Sequence, residues 1–216
     1  MQPRSVVLAT RSAGKIRELI PILQSYGIDA ETLTTCEVPE TSAEDDVEQF
    51  DTFELNALAK ARYFAALLPG RVVLADDSGL VVDALQGRPG VASKRWSNRP
   101  DLSGDALDRA NNEKLLFELQ SVGASTAQER TARYVCAIAC ARDGDSSVEF
   151  IATGHCDGYI LDVPDGDGGF GYDPYFWSFD LGKGFGVASR DEKARVGHRG
   201  RALTRLLREH QRFARG

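Results

Sequence analysis

Hydrophobic positions along this chain fall into two rhythms, continuous short runs and helical repeats, and their alternation predicts most of its elements. Val6-Val7-Leu8-Ala9 is an unbroken apolar run that reads as a first strand, and Ile16, Leu19, Leu23 and Tyr26 then recur at helical spacing. Pro21 lies inside that repeat and is expected to perturb or kink the helix. A second extended segment after Gly27 leads to Val38-Pro39-Glu40-Thr41, followed by an acidic stretch from Ser42 to Asp51 and a helix from about Thr52 to Leu68. Val72-Val73-Leu74-Ala75 reads as a strand covered on both faces, and Asp76-Asp77-Ser78-Gly79 reads as its carboxyl end and exit turn. A Gly-, Arg- and Pro-rich loop from Gln86 to Pro100 precedes a helix around Gly104 to Leu119. The middle is β-rich: Arg133 to Ala141 and Val148 to Gly154 form an antiparallel hairpin through Asp143-Gly144-Asp145, extended by Gly158-Tyr159-Ile160. A short strand at Tyr175 to Trp177 and a closing helix with Leu203, Leu206 and Leu207 inward complete the chain, with no internal repeat or low-complexity linker.

Composition narrows the function classes. At 216 residues and 42% hydrophobic, the chain supports a proper core in one large domain or two closely joined lobes. Its net charge of -6 argues against nonspecific attraction to nucleic acid or anionic membrane, so a phosphate ligand must meet a local cationic cluster. Cys36, Cys136, Cys140 and Cys156 form no Cys-x-x-Cys pair, and the chain is too long for a small disulfide scaffold; reduced, mostly buried thiols are expected. Neither a signal-type apolar core nor a membrane-length run occurs, which points to a cytoplasmic protein.

Candidate chemistry gathers at a few places. Open α/β sheets bind ligands at the carboxyl edge of their strands, and the neighbouring carboxylates Asp76 and Asp77 become tolerable together once a divalent cation neutralises them. Oxygen ligation favours magnesium or a similar hard ion. Thr10-Arg11-Ser12-Ala13-Gly14-Lys15 joins a strand to a helix amino end, where free N–H groups favour an anion; it does not match the P-loop pattern, so phosphate binding and an ordinary capped turn remain equal readings of that loop alone. Asn56 and Lys60 are four residues apart on one helix face and can reach a single site. Glu192-Lys193 and His198-Arg199-Gly200-Arg201 form a basic cluster whose default reading is a solvated face. Gly166-Asp167-Gly168-Gly169-Phe170-Gly171 matches Gly-x-Gly-x-x-Gly, but no clear strand leads into it and Pro174 follows where a helix would begin, which excludes a dinucleotide site. The acidic run Glu44, Asp45, Asp46, Glu48 and Asp51 reads as a solvated insertion rather than a metal site.

These pieces, in this order, resemble the inosine triphosphate pyrophosphatase family, enzymes acting on non-standard purine nucleoside triphosphates. The resemblance spans nearly the whole chain and rests on Leu8-Ala9-Thr10 through Lys15, Glu40-Thr41, Asn56-Ala57 with Lys60-Ala61, and Ala75-Asp76-Asp77-Ser78-Gly79-Leu80. It continues through Pro89-Gly90-Val91 with Ser93 to Trp96, Gly169-Phe170-Gly171-Tyr172-Asp173-Pro174, Glu192-Lys193 and His198-Arg199-Gly200. It implies an α/β fold, a long twisted mixed sheet with flanking helices in two lobes around a nucleotide cleft, as in ITPase-like and Maf-like proteins, and a single catalytic domain over residues 1–216 that forms a homodimer. It implies magnesium-dependent hydrolysis of ITP, dITP or XTP to the monophosphate and pyrophosphate, which keeps damaged purines out of nucleic acid.

Carried over by position, Thr10, Arg11, Ser12, Ala13, Gly14, Lys15, Lys60 and Arg95 would hold the phosphates, and Glu40 and Asp77 would bind magnesium, with Asp77 as general base. Ser78 would contact substrate, Phe170 would stack on the base, and Gly171, Tyr172, Asp173, Lys193, His198 and Arg199 would complete nucleotide binding. No stable nucleic-acid or membrane partner is expected. The chain departs from the family at Ser12, at Leu55, at Gly197 and in the additional acidic residues 42–51 beside Glu40. Those departures leave open a shifted specificity, such as a modified pyrimidine nucleotide, or a nucleotide-binding module with weak catalysis.

Overall fold

The computed structural model describes residues 5–209. The chain runs β1 (Ser5–Leu8), α1 (Ala13–Ser25), β2 (Asp29–Thr32), α2 (Phe53–Leu67), β3 (Val72–Val82), α3 (Gly104–Ser121), β4 (Thr131–Arg142), β5 (Phe150–Ile160), β6 (Phe176–Ser178), β7 (Lys183–Gly184), α4 (Arg190–Val196) and α5 (His198–Glu209). The strands form one open sheet in the order β2-β1-β3-β4-β5-β6-β7. It is mixed: β1 lies parallel to β2 and β3, while β5, β6 and β7 pair antiparallel. This is the α/β architecture that the resemblance implies.

The chain divides into two compact units, and β3, β4 and β5 each pass from one to the other. The first unit comprises residues up to Asp77, Cys136–Gly154 and the segment from His198. Its core joins Val6 and Leu8 of β1, Leu19 and Leu23 of α1, Leu74 of β3 and Ile138 of β4 to Leu203 and Leu206 of α5. On α5 the buried residues Ala202, Leu203, Leu206 and Leu207 recur at helical spacing, so one stripe faces the core. Gly154 of β5 has its vacant side-chain position against the Ala202 amide and the His198 carbonyl, so the absence of a Cβ lets α5 begin directly on the strand backbone. The second unit holds Ser78–Val135 and His155–Gly197 around Leu80, Leu115, Leu119, Tyr134, Ile160, Phe176 and Phe185.

Two local expectations change. The acids do not end a strand: β3 continues through Asp76, Asp77, Ser78 and Gly79 to Val82. Gly79 serves a close approach rather than a turn, because a side chain there would collide with the Gly90 carbonyl and the Ser93 hydroxyl. The expected edge survives in another form, since the β1 pairing stops at Leu8 opposite Leu74, just short of the acids. α1 runs from Ala13 to Ser25 with Pro21 inside it, as the helical repeat implies. The middle hairpin is longer than expected, with β5 a single strand through Ile160. All four cysteines are free thiols, and Cys136, Cys140 and Cys156 are buried. Among the described residues, no helix is long and apolar enough to cross a membrane.

The packing at Gly154 generates a direct test. Gly154→Ala forces the α5 amino end away from β5, with an expected loss of about 1–3 kcal/mol in urea denaturation. A variant as stable as the parent would show that α5 has room to move.

Candidate active site

The first unit assembles a charged constellation from four elements. Ser12 caps α1 by accepting a hydrogen bond from the Lys15 amide at 3.4 Å, and its own amide donates to Thr10 Oγ1 at 3.2 Å. The loop thus enters the helix with Thr10, Gly14 and Lys15 beside its amino end, where unpaired N–H groups and the dipole favour anions. Lys15 Nζ lies 3.0 Å from Asp76 Oδ2, and Arg199 Nε lies 3.1 Å from the same oxygen. A second Arg199 nitrogen pairs with Glu18 of α1. Burial would raise the Asp76 pKa, but Lys15, Arg199 and Lys60 outweigh it and hold the carboxyl far below its ordinary range. Asp76 is therefore a locked anion.

Asp77 differs. Its Oδ2 accepts from Asn56 Nδ2 at 3.1 Å, yet its pKa is raised, first by burial and then by the negative charge of Glu48. Neighbouring carboxyls pushed in opposite directions mark separate roles, and the group destabilised as an anion is the one that gains from a cation. Asn56 also bonds both backbone groups of Phe50, donating to its carbonyl at 3.0 Å and accepting from its amide at 2.9 Å. Those bonds tie the end of the acidic insertion to α2 and bring Glu48 to Lys60, with which it forms an ion pair. Burial would raise Glu48, but Lys60 outweighs it and lowers the carboxyl pKa. Burial would likewise lower Lys60, and Asp76, Glu48 and Asp77 together raise it instead.

Several of the expected site residues have protein partners of their own. Glu40 is exposed and bears electrostatically on Arg11, whereas the carboxylate that bears most on Asp77 is Glu48. The insertion is not a purely solvated stretch, because Glu48 and Glu44 both face cations of the constellation. Arg11, expected to hold phosphate, binds Glu44 through two hydrogen bonds of 2.7 and 3.2 Å and donates to the Val38 and Pro39 carbonyls at 3.0 Å each. Ala13 is exposed on the first turn of α1, and His198 is buried at the start of α5. Arg199, expected to face the nucleotide, is buried on Asp76 and Glu18. Among the described residues no three His, Cys, Asp or Glu side chains gather to hold a metal. Asp77 and Glu48 supply two hard oxygen donors, which suits an ion such as magnesium that takes its remaining ligands from phosphate and water.

The second unit organises the expected base-binding segment. Asp173 is buried; one of its oxygens accepts from the Phe170 amide at 2.8 Å and pairs with Lys193, and the other accepts from the Tyr134 hydroxyl at 3.2 Å. The Lys193 ammonium stands 4.8 Å from the centre of the half-buried Phe170 ring. Tyr172 is buried and donates to the Ser93 carbonyl at 2.8 Å, and burial pushes its phenol pKa up. Gly171 follows with a positive φ of 64°. Arg95 is exposed at the end of the turn Gly90–Arg95, and Ser78 lies half-buried on β3. The sequence reading set Glu48 aside with the solvated acidic run and gave no role to Asp108 and Asn112 of α3, whose side chains bond the Gly171 backbone.

The locked acid generates a stability prediction. Because the folded-state pKa of Asp76 lies below its ordinary value of 3.8, its contribution is present above that value and lost as pH falls below it. Asp76→Asn should cost on the order of 3 kcal/mol at neutral pH by leaving Lys15 and Arg199 without their shared anion. The difference from the parent should shrink between about pH 7 and about pH 3 in urea denaturation. An equal penalty at both would contradict an ionised Asp76.

The Ham1 family model matches residues 6–209. A dITP/XTP pyrophosphatase of Nitratidesulfovibrio vulgaris is 46% identical, with 100% of both chains covered. A solved HAM1 protein from Coxiella burnetii superposes with a TM-score of 0.80 at 31% identity, covering 96% of this chain and 98% of that one. A nucleoside-triphosphatase / dITP/XTP pyrophosphatase from Mycobacterium abscessus gives a TM-score of 0.69 at 38% identity, covering 94% and 98%. With the strand-borne acid pair, the capped anion loop and the Phe170 segment all falling inside a match of that length, the chain belongs to the Ham1 family.

Proposed function

We propose that this protein hydrolyses dITP, ITP and XTP to the nucleoside monophosphate and pyrophosphate. The observation that carries the reading is the division of the acid pair: Asp76 is neutralised by Lys15 and Arg199, while Asp77 remains beside Glu48 as a carboxyl whose anion is under-compensated. Full-length similarity to proteins named dITP/XTP pyrophosphatase supports the substrate class. Acting in the cytoplasm as a homodimer, the protein would remove such nucleotides before a polymerase incorporates them.

Cleavage between the α and β phosphates needs a water in line with the departing pyrophosphate, cations on the phosphate oxygens, and no protein nucleophile. Thr10, Ser12, Gly14 and Lys15 offer N–H groups, hydroxyls and one ammonium to the phosphates, and Lys60 and Arg95 add positive charge. Arg11 would contribute through the loop shape that its bonds to Val38, Pro39 and Glu44 maintain. Asp77 orients the water and takes its proton, which its raised pKa favours. Magnesium, held by Asp77 and Glu48, would supply charge to offset that developing on the phosphates. Glu48 takes the ligand role that position alone gives to Glu40. Phe170 offers a ring face to the purine, Tyr172, Asp173 and Lys193 keep its segment in place, and Ser78 and His198 complete the substrate contacts.

A nucleotide panel of ITP, dITP, XTP, GTP, ATP and modified pyrimidine triphosphates, read as pyrophosphate release with added magnesium, tests the reading. The expected order places ITP, dITP and XTP first. Preference for a pyrimidine would move the specificity, and binding without release would make the protein a nucleotide-binding module. Asp77→Asn should lower kcat at least about a hundredfold while binding persists, because a charge is removed with little change of shape. Glu48→Gln should raise the magnesium concentration for half-maximal rate about tenfold, whereas Glu40→Gln should leave it within about twofold. The reverse order for the two glutamates would return the ligand role to Glu40.

A further inference from the structure

Phe170 is held by more than its own loop. Gly171 follows it in a left-handed conformation, and both backbone polar groups of Gly171 are bound by side chains of α3. Its amide donates to Asp108 Oδ2 at 2.7 Å, and its carbonyl accepts from Asn112 Nδ2 at 2.9 Å. Asp108 and Asn112 are one helical turn apart, and the same Asn112 nitrogen donates to the Asp108 carbonyl at 2.9 Å. Two carbonyl acceptors on one side fix which end of that amide is nitrogen. Asn112 is 6% exposed, so an amide is kept inside the protein where an apolar residue would fill a helix face more cheaply.

We propose that Asp108 and Asn112 are positioning residues that clamp Gly171 and so set the Phe170 ring for the purine base, controlling nucleotide affinity and base discrimination without touching the reacting atoms. The inference rests on the reading of Phe170 as the base platform. Asp173 fixes the amide side of Phe170 through its carboxylate, and the α3 pair fixes the following peptide, so the ring is tethered on both sides. Asp173 lies within the loop itself, whereas Asp108 and Asn112 come from α3, about sixty residues away in sequence. A platform ordered before the ligand arrives avoids the cost of ordering it on binding, and that saving falls on affinity rather than on bond cleavage.

The test combines kinetics with amide exchange. Asp108→Ala should raise KM for ITP and XTP about tenfold, as expected for loss of a hydrogen bond to a charged acceptor, with kcat within about twofold. The ratio of kcat/KM for ITP over GTP should fall, and the Gly171 amide should exchange faster while the α3 amides keep their protection. Asp108→Asn retains an acceptor at the same place and should bring KM back to within about threefold of the parent. Asn112→Leu, which removes the bond to the Gly171 carbonyl in similar volume, should shift KM the same way and decides the matter if Asp108→Ala does not fold. Unchanged KM, or a loss confined to kcat, overturns the proposal, and so does unchanged exchange at Gly171. If the parent protein releases no pyrophosphate from any nucleotide, the pyrophosphatase reading falls by itself. Calorimetric ITP binding then judges the clamp: a Kd about tenfold weaker in Asp108→Ala upholds it, and an equal Kd, or no ITP binding by the parent, overturns it.

Discussion

A single buried carboxylate constrains the first unit more than any other group. The Asp76 side chain is 1% exposed, and an anion in that position survives only if cations are brought to it. Lys15 arrives because Ser12 caps α1 and starts the helix at the right residue; Arg199 arrives because α5 begins against β5. That beginning requires Gly154, whose missing side chain leaves room for the His198 carbonyl and the Ala202 amide. One charge thus accounts for a helix cap, a glycine within a strand and the first turn of the last helix. Such a triad gives little net stability compared with an apolar core, and its value lies in fixing where three elements meet.

Satisfying Asp76 has a consequence for its neighbour. Alternation along β3 turns Asp77 the other way, where it accepts a hydrogen bond from the Asn56 amide and feels Lys60 and Lys15 less than burial and Glu48. An amide stabilises an anion less than an ammonium does, and Glu48 adds negative charge. Glu48 is itself compensated by Lys60, so Asp77 is the one carboxyl of the three whose anion is disfavoured, which is the property the proposed metal and base roles would use.

How much of this was legible in the sequence depends on whether the signal was local. The strand before Asp76, the helix carrying Asn56 and Lys60, the middle hairpin and the leucine stripe of α5 all follow from apolar spacing within a few turns. The expectation that Asp77 is the reactive member came from family position, and the charge distribution supplies a physical argument for that proposal. The end of β3 was misjudged because Ser78-Gly79 has the composition of a turn, and only the tertiary approach of Gly90 and Ser93 explains the glycine. The interaction of Glu48 with Lys60 and Asp77 was not legible, because it depends on the Asn56 tether to Phe50, which brings the end of the acidic insertion back to α2.

The two units reach order by different physical means, and the proposed function gives that difference a reason. The first unit sets charges against one another, and Glu48 and Glu44 hold Lys60 and Arg11 in place within a chain whose net charge is -6. Those carboxylates keep the cations from collapsing elsewhere, and a phosphate ligand meets a field already arranged for negative oxygen. The second unit places a neutral ring, for which charge offers little direction. It uses short hydrogen bonds to the backbone on both sides of Phe170 instead, from Asp173 and from Asp108 and Asn112. A planar base is discriminated by where the ring and the surrounding donors stand, so displacement of that loop by a fraction of an ångström alters which base fits while leaving the acids on β3 as they are.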